Sequence, residues 1–252
     1  MTRSLAIVCE ARADYETACA LADRVLCAEV EWIEPDVLGN YRQWRGLQES
    51  ESFLTIQHVP ILARQKNIRA HGHFDGSPIA PDEHLGRLAF LLLYTLQPLP
   101  DAVLLIRDDD RQTERRRGLE RARRWAEEKL QGLKPIVLGL AHPKRECWVL
   151  AGFDARNDEE RLLFEAMCRE LGFNPCADAE QLTAKHESDK RSAKRVLALL
   201  TKSDQEREAD CWNSTPLDLL CQRGRNTGLA DYLQELQQFF VPLFSPQKTD
   251  HA

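Results

Sequence analysis

The stretch Ala102-Val103-Leu104-Leu105-Ile106-Arg107-Asp108-Asp109-Asp110 places three carboxylates directly after a run of five apolar residues. Such a run predicts a buried strand, and the acids follow where that strand ends. Two other apolar runs share this property: residues 5–9 end at Glu10, and residues 136–140 lead to Glu146. Like charges at the ends of buried strands repel one another unless a cation neutralises them.

Segments with helical spacing separate these strands. They lie at residues 14–30, 82–96 and 111–130, and a further short strand is predicted at residues 29–33. The order strand, helix, strand, helix, strand predicts an α/β fold with a mainly parallel sheet flanked by helices. Right-handed crossovers then bring the acidic strand ends to one edge. We therefore expect Glu10, Asp108, Asp110 and Glu146 to lie together.

The chain divides into two parts by pattern. Residues 1–152 are predicted to form the α/β domain, with an irregular insertion near residues 35–81 that lacks sustained periodicity. Residues 153–252 predict a helical C-terminal portion, with helices at residues 158–171, 190–200 and 228–240. Trp148, Val149 and Leu150 are predicted to pack in the core.

Composition excludes several classes of protein. The net charge of −6 argues against binding nucleic acid through bulk positive charge, although local basic surfaces remain compatible with it. No run of about 18 apolar residues occurs, which predicts a cytoplasmic protein without a membrane span. The eight cysteines form no CxxC pair and are predicted to be reduced. Neither GxxxxGK[ST] nor GxGxxG is present, so any ATP-driven step must come from another chain.

Carboxylates that converge at the edge of a parallel sheet predict an oxygen-ligand site for Mg²⁺ or Mn²⁺. Asp108 and Asp110 are the predicted principal ligands, with Glu10 as a ligand or general acid/base and Glu146 as a further ligand or orienting group. Asp109 should point the opposite way and support a ligand from behind. Asp14 is either the N-cap of the first helix or an outer ligand.

Glu10 and the Asp-x-Asp pattern of Asp108 and Asp110 resemble the TOPRIM domain of topoisomerases, primases and overcoming-lysogenization-defect nucleases. A closer resemblance is to a TOPRIM-like family of bacterial proteins often encoded beside ATPases in phage-defence loci. It rests on residues 105–110 (Leu-Ile-Arg-Asp-Asp-Asp) and 145–152 (Arg-Glu-Cys-Trp-Val-Leu-Ala-Gly), and it spans about residues 4 to 152. The chain has Ala11 where that family often has glycine, and Gly152 where its third motif ends in an acid.

The resemblance implies a divalent-metal-dependent nuclease that hydrolyses phosphodiester bonds in DNA or RNA. It also implies a role in anti-phage defence and a partner ATPase encoded nearby. Two alternatives stay open: a non-catalytic TOPRIM-like binding or assembly subunit of an ATPase complex, and nucleotidyl transfer of the primase type.

Basic residues beside the acids are candidates for contact with substrate phosphates. These are Arg107, Arg111, Lys144 and Arg145. The arginines that crowd residues 111–124 predict either a solvated helix with ion pairs or a surface that contacts the phosphate backbone. A second group predicts either a charged helix face or a phosphate track, namely Lys185, Lys190, Arg191, Lys194 and Arg195.

Overall fold

A computed structural model describes residues 2–48, 50–72 and 79–245. Its centre is a five-stranded sheet in the order β2-β1-β4-β5, with β3 pairing with β1 beyond the end of β2. The strands are β1 (Arg3–Cys9), β2 (Arg42–Arg45), β3 (Leu54–Thr55), β4 (Ala102–Asp108) and β5 (Ile136–Ala141). All pairings are parallel, which confirms the predicted α/β class with a mainly parallel sheet.

Helices flank this sheet along the described chain. They are α1 (Arg12–Glu29), α2 (Val59–Gln65), α3 (Pro81–Tyr94), α4 (Thr113–Lys129), α5 (Arg145–Ala151), α6 (Asp158–Leu171), α7 (Ala193–Thr201), α8 (Gln205–Ser214), α9 (Leu217–Arg223) and α10 (Leu229–Glu235). Within residues 2–48, 50–72 and 79–245, no helix combines the length and the apolar character needed to span a membrane.

The two faces of the sheet bury different residues, because successive strand side chains point in opposite directions. Leu5, Ile7 and Leu104 belong to a core shared with α1, α5 and the C-terminal helices. Val8 and Leu105 belong to a core shared with α3 and α4. The C-terminal helices therefore cover one face of the sheet and share its core.

Trp148 joins α5 to the C-terminal helices. Its ring stacks on Tyr232 of α10 with centroids 5.1 Å apart, and its Nε1 donates a hydrogen bond to the carbonyl of Thr227 at 2.7 Å. Trp148, Val149 and Leu150 are all buried, so the predicted core packing of this segment is confirmed.

Two predictions for the chain between α1 and α3 are wrong. The strand predicted at residues 29–33 does not form, because α1 continues to Glu29 and the apolar Val30 and Ile33 pack into the core. The region near residues 35–81 is not wholly irregular, since it contains β2, β3 and α2. Sequence reasoning missed β2 because it is a polar edge strand, in which Arg42 pairs with Asp23 of α1.

Gly152 ends α5 where the backbone of α8 approaches it. A Cβ at this position would lie far inside contact distance of the carbonyl oxygen of Cys211. Any larger side chain meets the same obstacle. The packing of α8 therefore requires glycine at position 152.

We expect Gly152→Ala to lower the free energy of unfolding by about 2 kcal/mol or more, because either α5 or α8 must shift. Gly39→Ala is the matched control, since no atom lies within 4 Å of the position of its Cβ. Its expected change is below about 0.5 kcal/mol. Urea denaturation measures both. Equal stabilities of the two variants would contradict the close approach.

Candidate metal centre

Three of the predicted acids follow neighbouring strands of the sheet. Glu10 comes directly after β1, Asp108 ends β4, and Glu146 lies in the first turn of α5, which follows β5. Because β1 pairs with β4 and β4 with β5 in parallel, these chain segments emerge at the same edge. Glu146 is thus placed by a short helix that sequence reasoning did not predict.

Asp108 is half-buried and lies at the centre of this edge. Its Oδ1 accepts a hydrogen bond from the backbone N–H of Arg145 at 2.8 Å. Burial, together with charge repulsion from Glu146, Asp14 and Glu10, raises the pKa of Asp108 to about 8. The carboxyl of Asp108 therefore holds a proton at neutral pH when no cation is bound.

Asp14 belongs to the same group of acids. Its side chain accepts a hydrogen bond from the N–H of Ala11 at 2.9 Å, so the N-cap is Ala11 and Asp14 occupies the third helical position. The predicted alternative in which Asp14 is the N-cap is therefore wrong, because the N-cap lies three residues earlier. Burial raises the pKa of Asp14, and Glu10 and Glu146 act in the same direction.

Glu208 of α8 is an acid that sequence reasoning missed. Burial raises the pKa of Glu208, Arg145 lowers it, and the nearby Glu146 raises it. No local pattern in α8 predicts this placement, because only the packing of the C-terminal helices brings it about. We call the resulting group the acidic edge, made up of Glu10, Asp14, Asp108, Glu146 and Glu208.

Arg145 lies buried among these carboxylates. Its Nε is 3.7 Å from Asp14 Oδ1, and its Nη2 is 3.9 Å from Glu146 Oε1 and 3.7 Å from Glu208 Oε2. The side chain predicted to meet substrate phosphate thus contacts the protein's own acids. It offsets part of their mutual repulsion.

Arg107, which directly precedes Asp108, also forms ion pairs with carboxylates. Its Nε is 3.5 Å from Glu10 Oε1 and its Nη2 is 3.3 Å from Asp82 Oδ1. Only 14% of this side chain is exposed. Arg107 is therefore also engaged with carboxylates rather than with open surface.

Asp110 is not brought into the acidic edge. The chain leaves the strand after Asp108, and Asp110 and Arg111 both adopt left-handed backbone angles with φ of 46° and 63°. This turn breaks the alternation that the Asp-x-Asp pattern assumes. Asp110 Oδ2 instead forms an ion pair with Arg115 Nη1 at 2.7 Å.

Asp109 turns away from Asp108 and is buried. Both of its carboxylate oxygens lie 2.9 Å from His142 Nδ1, and Oδ1 accepts a hydrogen bond from the N–H of Arg111 at 2.8 Å. The opposite orientation expected for Asp109 is thus observed, but its contacts tie the loop after β4 to the loop after β5. Sequence reasoning missed His142.

The donor chemistry of the acidic edge fits Mg²⁺ or Mn²⁺, which prefer carboxylate oxygens. As the side chains stand, the described parts of the chain contain no group of three or more His, Cys, Asp or Glu residues that could hold a metal ion. Arg107 and Arg145 contact four of the five acids instead. Metal binding here must therefore compete with two guanidinium groups and with the proton of Asp108.

Comparison with protein-family models, curated proteins and solved structures finds no match for this chain. The resemblance to TOPRIM domains therefore stays a prediction.

We expect Asp108→Asn to change how stability depends on pH. The folded-state pKa of about 8 lies above the ordinary 3.8, so the folded protein keeps a proton that the unfolded chain loses as pH rises between these values. As pH rises across that window, the Asp108 carboxyl therefore lowers the free energy of unfolding by up to about 1.4 kcal/mol per pH unit. Asparagine removes the effect while it can still accept the Arg145 N–H.

Urea denaturation in EDTA between pH 6 and pH 8 measures this difference. Asp108→Asn should gain up to about 2 to 3 kcal/mol relative to the parent across that range. Asp36→Asn, which changes an exposed acid in the turn after α1, should follow the parent. Parallel pH profiles for Asp108→Asn and the parent would show that Asp108 is not held protonated.

Proposed function

We propose that this chain is a TOPRIM-like, divalent-metal-dependent nuclease that hydrolyses phosphodiester bonds at the acidic edge. The observation that carries the proposal is the half-buried carboxyl of Asp108, whose charge is opposed by Glu10, Asp14 and Glu146. Open parallel sheets bind their ligands at this edge. A cluster of half-buried acids is unfavourable by itself, and a hard cation is the ligand that offsets it best.

Asp108, Glu146 and Glu10 are the residues that would hold Mg²⁺ or Mn²⁺. When bound, the cation supplies an activated water and stabilises negative charge on the attacked phosphate. The N–H of Arg145 fixes the orientation of the Asp108 carboxyl. Glu10 has the more exposed carboxylate, with 33% of its side chain accessible against 14% for Glu146. Glu10 is therefore the better placed to exchange a proton with solvent.

The proposal extends to a role in anti-phage defence beside an ATPase encoded nearby. Its support is the resemblance of residues 105–110 and 145–152 to the TOPRIM-like family. Identification of the neighbouring gene products, followed by co-purification with this chain, tests the partnership.

A non-catalytic binding or assembly subunit is the second candidate. It is favoured by the ion pairs that Arg107, Arg145 and Arg115 make with Glu10, Glu146 and Asp110. In that case the arginines offset part of the charge of the acids, and the network is structural. Metal binding without turnover of any nucleic acid would support this candidate over the nuclease.

We expect the affinity for Mn²⁺ to rise with pH between pH 6 and pH 8, because Asp108 must lose its proton to bind a cation. The rise is up to about tenfold per pH unit for one proton. Calorimetry in two buffers of different ionisation enthalpy measures both the affinity and the proton released. In Asp108→Asn the pH dependence should disappear. Equal affinities of the parent at both pH values would rule out Asp108 as the protonated ligand.

We expect Asp108→Asn and Glu146→Gln each to lower metal-dependent cleavage by about a hundredfold or more, because each removes a ligand. The assay uses single-stranded and double-stranded DNA and RNA with Mn²⁺ or Mg²⁺. Asp36→Asn is the charge-matched control and should cleave like the parent.

The variants Asp14→Asn and Asp110→Asn distinguish a set of metal ligands that includes Asp14 from one that includes Asp110. Asp14 adjoins Asp108, whereas Asp110 pairs with Arg115, so Asp14→Asn should reduce cleavage more than Asp110→Asn does. The reverse order would favour the Asp-x-Asp ligands predicted from the sequence. Absence of cleavage by the parent on every substrate would contradict the nuclease proposal.

A further inference from the structure

A cleft of about 630 Å³ opens beside the acidic edge. One wall comes from the loops that follow β4 and β5, and the other comes from residues 182–194 in the C-terminal portion. The charged residues that line it are Asp110, Arg111, Lys144, Lys185, Glu187 and Lys194.

The balance of charge in this cleft is positive. Asp110 is paired with Arg115 at 2.7 Å, and Glu187 is paired with Lys194 at 2.5 Å, so both acids are already neutralised. Arg111, Lys144 and Lys185 have no ion-pair partner in the part of the chain that the structure describes. Three uncompensated cations thus face one opening in a chain whose net charge is −6.

The cleft leads to the acidic edge. Lys144 is the N-cap of α5 and directly precedes Arg145, whose N–H binds Asp108. On the opposite wall, the hydrogen bond to Glu187 raises the pKa of Lys194, and the nearby Glu146 raises it further. Two residues that line the cleft, Lys144 and Lys194, therefore adjoin the residues of the acidic edge.

We propose that this cleft binds the phosphodiester backbone of a nucleic-acid strand and guides it to the acidic edge. The guidance towards Asp108 rests on the proposed nuclease function, whereas the binding itself does not. Lysine and arginine side chains bind phosphates without reading sequence. None of the described residues that line the cleft is aromatic, so it offers no platform for stacking bases. The contacts are therefore with the backbone, and binding tolerates different sequences.

Fluorescence anisotropy with labelled single-stranded DNA and RNA oligonucleotides in EDTA tests the binding without cleavage. The double variant Lys144→Ala and Lys185→Ala should lower the affinity at least tenfold. It should also reduce the salt dependence by about one to two counterions. The matched control is Lys66→Ala with Lys134→Ala, two exposed lysines that lie directly after α2 and just before β5. We expect less than a twofold change in the control.

A second double variant, Arg111→Gln with Lys185→Gln, leaves Lys144 unchanged. It therefore tests the cleft even if the loss of Lys144 disturbs α5. It should weaken binding to the same extent while thermal unfolding stays that of the parent.

The outcomes separate the two proposals. Unchanged binding in both cleft variants, an equal loss in the lysine control, or no binding by the parent would overturn the cleft inference. Loss of binding in the cleft variants of a parent that shows no metal-dependent cleavage would support the cleft and contradict the nuclease.

Discussion

The parallel pairing of β1, β4 and β5 is the constraint on which the site depends. It brings Glu10, Asp108 and Glu146 to one edge, where burial makes the charge on Asp108 unfavourable. The surrounding contacts offset that charge: the N–H of Arg145 binds Asp108, and the guanidinium groups of Arg107 and Arg145 contact neighbouring acids. Without these contacts, the pairing of the strands would place uncompensated negative charge at one edge of the sheet.

The central strands could be predicted because buried parallel strands have continuous apolar sequences. Residues 5–9, 102–106 and 136–140 all have this character. By contrast, β2 (Arg-Gln-Trp-Arg) is polar, since it lies at the edge of the sheet and its Arg42 pairs with Asp23. The segment that carries Glu146 is a helix of seven residues, too short to show a period.

Only those site residues whose positions follow from the sheet topology could be predicted from the sequence. Glu10, Asp108 and Glu146 follow from the rule that parallel strands end together. Asp110 does not join them, because the left-handed turn at Asp110 and Arg111 is not evident from residue types alone. Glu208 enters through the packing of α8, which lies far away in sequence and leaves no local signal.

The contact between Gly152 and the backbone of Cys211 constrains the order in which this chain can change over evolution. An acid cannot be introduced at position 152 by one substitution alone, because α8 occupies the space that its side chain needs. Displacement of α8 would also move Glu208 away from Arg145 and Glu146. The two positions are therefore epistatic. Glu208 thus contributes a carboxylate from the same helix whose backbone excludes a side chain at position 152.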